Sequence, residues 1–145
     1  INMYSDYTAL PAPTVISGQS VPFSVTIGYC SGTAYTMVFA IYIDWNRDGD
    51  FADASETTYT STAAVAAVTG TAYSGSITVP SFASAGNTRM RVVMVEGGPA
   101  PATGTYTWGE TEDYTINVLS GTGLTYAWTP VTNLSNPNIL IAHSL

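Results

Sequence analysis

The run "MVFAIYIDW", residues 37 to 45, constrains the fold more than any other stretch of this chain. It is apolar at odd and even positions alike, so a strand made from it needs cover on both faces. That predicts a central strand. The run ends in acid, because "DWNRDGDFADASE", residues 44 to 56, holds five of the ten carboxylates in a chain that is only 9% charged.

Elsewhere the apolar residues alternate, as in strands with one buried face. "SVPFSVTIGY" sets Val21, Phe23, Val25, Ile27 and Tyr29 on one side, and "TAYSGSITVP" does the same with Tyr73, Ile77 and Val79. "TRMRVVMV" turns Met90, Val92 and Met94 inward and leaves Arg89 and Arg91 to the outer face. "EDYTINVL" alternates Tyr114, Ile116 and Val118. The Ala-rich "TSTAAVAAVTG" suits a helix in part, but its flanking Thr and Val favour a strand, and "PSFASAG" has room for one helical turn. Turn clusters such as "PAPTVISGQS", "SGTAY" and "EGGPAPATG" separate the runs.

Short strands spaced this way predict an all-β fold, an antiparallel β-sandwich of Ig-like or jelly-roll-like form. Residues 1–119 make one such domain, of a size that is stable without staples. "SGTG", 120–123, reads as a flexible joint. Residues 124–145 carry two further strand runs, "LTYAW" and "NILIA", and are too few to enclose a core of their own.

Composition removes several function classes. With a net charge of −7, three Arg and no Lys, the chain has no basic patch for nucleic acid or an anionic membrane surface. No apolar run reaches membrane-spanning length. The opening "INMYSDYTAL" lacks the pattern of a secretory leader, so the chain is expected to be mature, excised from something longer, or truncated. Cys30 is the only cysteine, which rules out an internal disulfide, and it is expected to be a small strand residue. His143 is the only histidine, so neither a Ser-His-Asp set nor a zinc site can be assembled. An enzyme is not expected.

The acidic stretch reads differently. Calcium takes six to eight oxygen ligands, and a calcium loop alternates carboxylate or amide residues around a glycine at the bend. Asp44, Asn46 and Asp48 fall at alternate positions, followed by Gly49 and Asp50, which reproduces the first half of an EF-hand loop. Phe51 stands where that loop has its apolar anchor. The second half departs: position twelve is Ser55, the acid follows at Glu56, and Asp53 is additional. A strand, not a helix, leads in. Five carboxylates repel one another unless neutralised, and Arg47 alone cannot do it. The expected ligand set is Asp44, Asn46, Asp48, Asp50, Asp53 and Glu56, with calcium (Ca2+) as the ion.

Further on, "SITVP", "GNTRMRVVM" and "GETEDYTINV" follow the acidic segment in an order that closely resembles the GEVED domain of secreted bacterial proteins. "SDYTAL" resembles that family's opening segment, so the likeness covers about residues 1 to 119. Thr111 replaces the Val of the family motif. The resemblance implies a non-catalytic β-sandwich module, extracellular or at the cell surface, often of bacteria that export by the type IX route. The tail "LTYAWTPVTNLSNPN" resembles the first strands of a polycystic-kidney-disease-like, Ig-like repeat.

Antiparallel neighbours would bring Glu110, Glu112 and Asp113 to the end of the sheet where Asp44 lies, as further ligands or as supports for them. The strand that usually precedes the family's opening segment is reduced here to "INMY", while residues 120–145 carry surplus strands. This suggests either strand exchange between neighbouring copies or modules, joined head to tail into a fibre, or a chain trimmed from a multidomain protein. The alternative is a carbohydrate-binding module that presents Tyr4, Tyr7, Tyr35, Tyr106, Trp108 and Trp128 to a surface glycan.

Overall fold

A computed structural model describes residues 3–28, 35–61, 65–66 and 70–121. Among these residues every regular element is a strand. In chain order they are β1 (Tyr4–Asp6), β2 (Thr14–Ile16), β3 (Ser20–Ile27), β4 (Thr36–Ile43), β5 (Thr57–Thr60), β6 (Val65–Ala66), β7 (Thr71–Thr78), β8 (Gly86–Glu96) and β9 (Gly109–Leu119). Cys30, Tyr29, His143, Trp128 and the strands expected beyond Gly121 lie outside the described residues, as does most of "TSTAAVAAVTG". The helical turn expected in "PSFASAG" is a tight turn, closed by Ala83 N–H donating to Pro80 O at 3.0 Å.

The larger sheet runs β1-β9-β8-β4-β5, with β2 also on β9 and β6 also on β4, and β3 and β7 form a second sheet. The β-sandwich is as expected. One feature departs from a purely antiparallel reading: β1 and β2 pair parallel with β9, Tyr4 opposite Thr111 and Val15 opposite Val118. The opening segment therefore lies along the β9 edge of the larger sheet.

Because β4 pairs antiparallel with β8, and β8 with β9, residues sharing a register share a face. Phe39, Ile41 and Ile43 turn toward β3 and β7, where Ile41 and Ile43 join Trp45, Ile77, Val79, Ile116 and Val118 in the main core. Phe39 packs beside Ile27 and Met37, stacking on Tyr59 at 5.5 Å between ring centres. Ala40 and Tyr42, on the opposite face, are buried with Phe51, Val93, Val95 and Ala100. The Tyr42 hydroxyl donates to Ala100 O at 2.6 Å, so the loop after β8 covers this second face. The strand that is apolar on both sides is thus covered on both sides.

Met90, Val92 and Met94 pack inward as the alternation predicts. Arg91 lies on the outer face but is not left to solvent; its side chain is 17% exposed, over the Phe51 ring at 5.1 Å.

Candidate metal centre

At Ile43 the central strand ends and the acidic loop begins. Both of its ends are fixed to the sheet: Asp44 N–H donates to Arg89 O at 3.1 Å, and Ile43 N–H to Glu56 O at 3.0 Å. Thr88 Oγ1 donates to Asp44 O, and the Arg47 guanidinium reaches across to Ala85 O at 2.7 Å. Trp45, 1% exposed, anchors the first turn in the core. Its indole N–H is the one buried side-chain polar atom without a partner among the described residues.

Inside the loop the alternate Asn and Asp side chains act on the backbone. Asp48 N–H donates to Asn46 Oδ1 at 3.0 Å, Asp50 N–H to Asp48 Oδ1 at 3.1 Å and Ala52 N–H to Asp50 Oδ1 at 2.8 Å. Each is a turn made by a side-chain oxygen and the N–H two residues on. The Asp44 carboxylate takes Arg47 N–H at 2.6 Å and Gly49 N–H at 3.1 Å. Tight winding of this kind needs left-handed backbone, found at Gly49 (φ 97°) and, unusually for a side-chain-bearing residue, at Arg47 (φ 67°). Phe51 is the apolar anchor that its position suggested, 8% exposed.

The far end of the loop folds back on its start. Glu56 is 1% exposed and accepts from Trp45 N–H at 3.0 Å. Burial raises its pKa above the ordinary carboxylate value; the charge of Asp44 adds to this, and backbone N–H groups oppose it. Carboxylate oxygens of Asp44, Asp48 and Glu56 lie within 4.8 Å of one another, a group that could hold a metal ion. Two of these three acids are buried and the third is exposed, so the cluster opens toward solvent on one side.

Of the six residues expected as ligands, these three are brought together. Asp50 is exposed, accepts from Ala52 N–H and lies outside this group. Asn46 and Asp53 are tied to each other: the Asn46 amide donates to Asp53 Oδ2 at 2.6 Å and to Asp48 Oδ2 at 2.9 Å. In this arrangement Asn46 serves the acids as a donor.

The residues of "GETED" are placed otherwise than expected. β9 neighbours β8 and not β4, so two antiparallel steps make β9 run parallel to β4. Its start, Gly109 and Glu110, therefore lies at the sheet end opposite Asp44, with Glu110 in register through Met94 with Phe39. Glu112 aligns through Val92 with Ile41, on the inner face. Asp113, 2% exposed, lies on the outer face and accepts two hydrogen bonds from Arg91. The sequence reading missed this ion pair. Its trace was the arginine at the second of two alternating outer positions, "RMR", in a chain with three cations.

Residues 38–117 match the GEVED domain family. The chain belongs to that family. The match spans β4 to β9 and includes both the acidic loop and the "GETED" strand. No curated protein and no solved structure matches the chain.

Proposed function

We propose that this GEVED domain is a non-catalytic structural or adhesive module of a bacterial surface protein, outside the cell, and that its fold is stabilised by calcium. The observation that carries the reading is the convergence of Asp44, Asp48 and Glu56, two of them buried, on one point at the end of the central strand. A divalent cation there offsets the repulsion of acids already taken out of water. Calcium suits the donors better than the other common ions: they are all oxygens, and one side stays open for water. The exposed Asp53 and the Asn46 amide oxygen supply the remaining ligands once the Asn46 side chain turns over.

The mechanism is linkage. An ion that binds only the folded loop ties β4 to β5 at their shared end and shifts the unfolding equilibrium by mass action. The test is calorimetric titration of the metal-stripped protein with calcium, repeated on Asp48→Ala. One saturable site that the variant lacks supports the reading; no heat, or the same heat from both proteins, overturns it.

A carbohydrate-binding role is the second reading. It draws on Tyr35 and Trp108, which are 55% and 59% exposed. Tyr7 is instead stacked on Tyr114, and the Tyr106 hydroxyl is bonded to Met3 O and Thr111. A glycan array separates the two readings. Joining of copies or modules through residues 120–145, into a fibre or onto a following Ig-like repeat, belongs to the same proposal and is tested by sedimentation of the chain with and without those residues.

A further inference from the structure

Among the described residues the two-stranded sheet leaves part of the larger sheet's inner face uncovered, and that part is acidic. The registers Phe39–Met94–Glu110 and Ile41–Val92–Glu112 put both glutamates on the face that carries the core. With Val92 and Met94 they floor a groove of about 310 Å³ whose other wall is Val25, Thr26 and Gly28 of β3 and its exit. The partners shown for these carboxylates are hydroxyls: Ser5 Oγ donates to Glu110 at 3.1 Å and the Tyr114 hydroxyl to Glu112 at 2.8 Å. Among the described residues the ion pairs go to Asp113, on the opposite face. Two half-buried carboxylates therefore face the groove without a cation among the described residues.

The β3 wall of the groove is, among the described residues, a strand edge without a partner. Among the described residues β3 pairs with β7 alone. Val79 N–H donates to Gln19 O and Gly70 N–H to Ile27 O, so the odd-numbered residues bond toward β7 and the even-numbered ones point their backbone groups away. Pro22 is one of those even positions, and its missing N–H blocks pairing along the first half of the edge. Ser24 and Thr26 keep both donor and acceptor. The half able to pair is the half that borders the groove.

A row of free backbone groups, an apolar floor and two uncompensated carboxylates together describe a peptide site. We propose that an extended segment of another protein adds as a strand to Ser24–Gly28, placing a Lys or Arg side chain against Glu110 and Glu112 and an apolar side chain on Met94. The cation comes from outside this chain. There is no Lys, Arg47 and Arg91 are engaged with Ala85 and Asp113, and Arg89 faces away on the Asp113 side. The site does not depend on the acidic loop at the other end of the sheet.

The test is panning of a random dodecapeptide library against the 145-residue protein in calcium-containing buffer, followed by fluorescence anisotropy of the enriched peptides. Enriched sequences are expected to carry Lys or Arg within an alternating apolar pattern. Their affinity should fall at least about fivefold on the E110Q/E112Q double variant. Thr26→Pro removes one outward N–H and leaves the β7 ladder intact; it should abolish binding without lowering the melting temperature by more than a few degrees. Failure to enrich any sequence, enriched peptides without a basic residue, or equal binding to Thr26→Pro overturns the proposal. Self-association of the parent protein that Thr26→Pro removes also overturns it, because the edge would then take a second copy of this chain.

Discussion

Arg91 and Asp113 stand opposite each other on β8 and β9 and are joined twice, Nε to Oδ1 at 2.7 Å and Nη2 to Oδ2 at 2.8 Å. The fork is bidentate, and it is held on three sides. The Tyr4 hydroxyl donates to the same carboxylate at 3.1 Å, Arg91 Nη1 donates to Ala102 O at 2.8 Å, and Phe51 lies against the guanidinium. One pair thus connects the first strand, the family's motif strand, the loop over the outer face and the anchor of the acidic loop.

Removing one partner leaves the other buried and unpaired. Asp113→Ala is expected to cost about 3 kcal/mol or more, read from urea unfolding at pH 7. Arg91→Met together with Asp113→Leu should recover a large part of that loss, since an apolar pair of similar volume removes the stranded charge. A double variant as unstable as the single one would show that the pair's neighbours, and not its charges, set the cost.

Stability should respond to calcium through three particular acids. At a hundredfold excess over its dissociation constant the ion contributes about 2.7 kcal/mol. For a domain of this size that is a rise in melting temperature of roughly 5–10 °C, which a chelator reverses. Asp48→Ala and Glu56→Gln are expected to abolish the rise. Asp50→Ala should keep most of it, because that carboxylate lies outside the Asp44–Asp48–Glu56 group. Equal loss in all three variants would point to diffuse charge neutralisation instead of a site.

The sandwich was legible in the sequence because period-two alternation and turn clusters are local signals. Phe39, Ile41 and Ile43 against Ala40 and Tyr42 show that double-sided cover can be read from one apolar run. The loop was legible too, since alternating Asp and Asn around Gly49 is a local pattern. Which strands are neighbours was not. Placing "GETED" beside Asp44 assumed that β9 lies next to β4, and the intervening β8 reverses the direction and moves Glu110 to the far end. Nor does a sequence show that Tyr4–Asp6 and Thr14–Ile16 both run parallel to β9, because that pairing joins residues about a hundred positions apart.

The glycine of the motif has a steric reason. A Cβ on Gly109 would collide with the Met94 carbonyl oxygen and come within 3.0 Å of the Tyr106 ring. Gly109→Ala should therefore destabilise the domain by about 2 kcal/mol. Thr111, where the family has Val, is bonded through Oγ1 to the Tyr106 hydroxyl at 2.7 Å. Restoring the family residue with Thr111→Val is expected to cost about 1 kcal/mol. Chemical denaturation of both variants checks the two values. A neutral Gly109→Ala would mean that β9 can move away from β8 at its start.

Alkaline pH should weaken the fold through Tyr114. Burial is the main cause that raises its phenol far above the ordinary value of 10.0; the hydrogen bond to Glu112 comes next, and the nearby carboxylate charges add to it. Tyr42, through burial, and Tyr4, through burial and Asp113, shift in the same direction. Below pH 10 the phenol is protonated in both folded and unfolded chains, and its contribution is fully present. Above pH 10 the unfolded chain ionises first while the folded one keeps its proton, so stability falls as pH rises, by up to about 1.4 kcal/mol per pH unit for Tyr114. Urea midpoints followed by tryptophan fluorescence between pH 8 and about pH 11 should therefore drop less steeply for Tyr114→Phe than for the parent protein. Parallel curves would assign the alkaline loss to the other tyrosines.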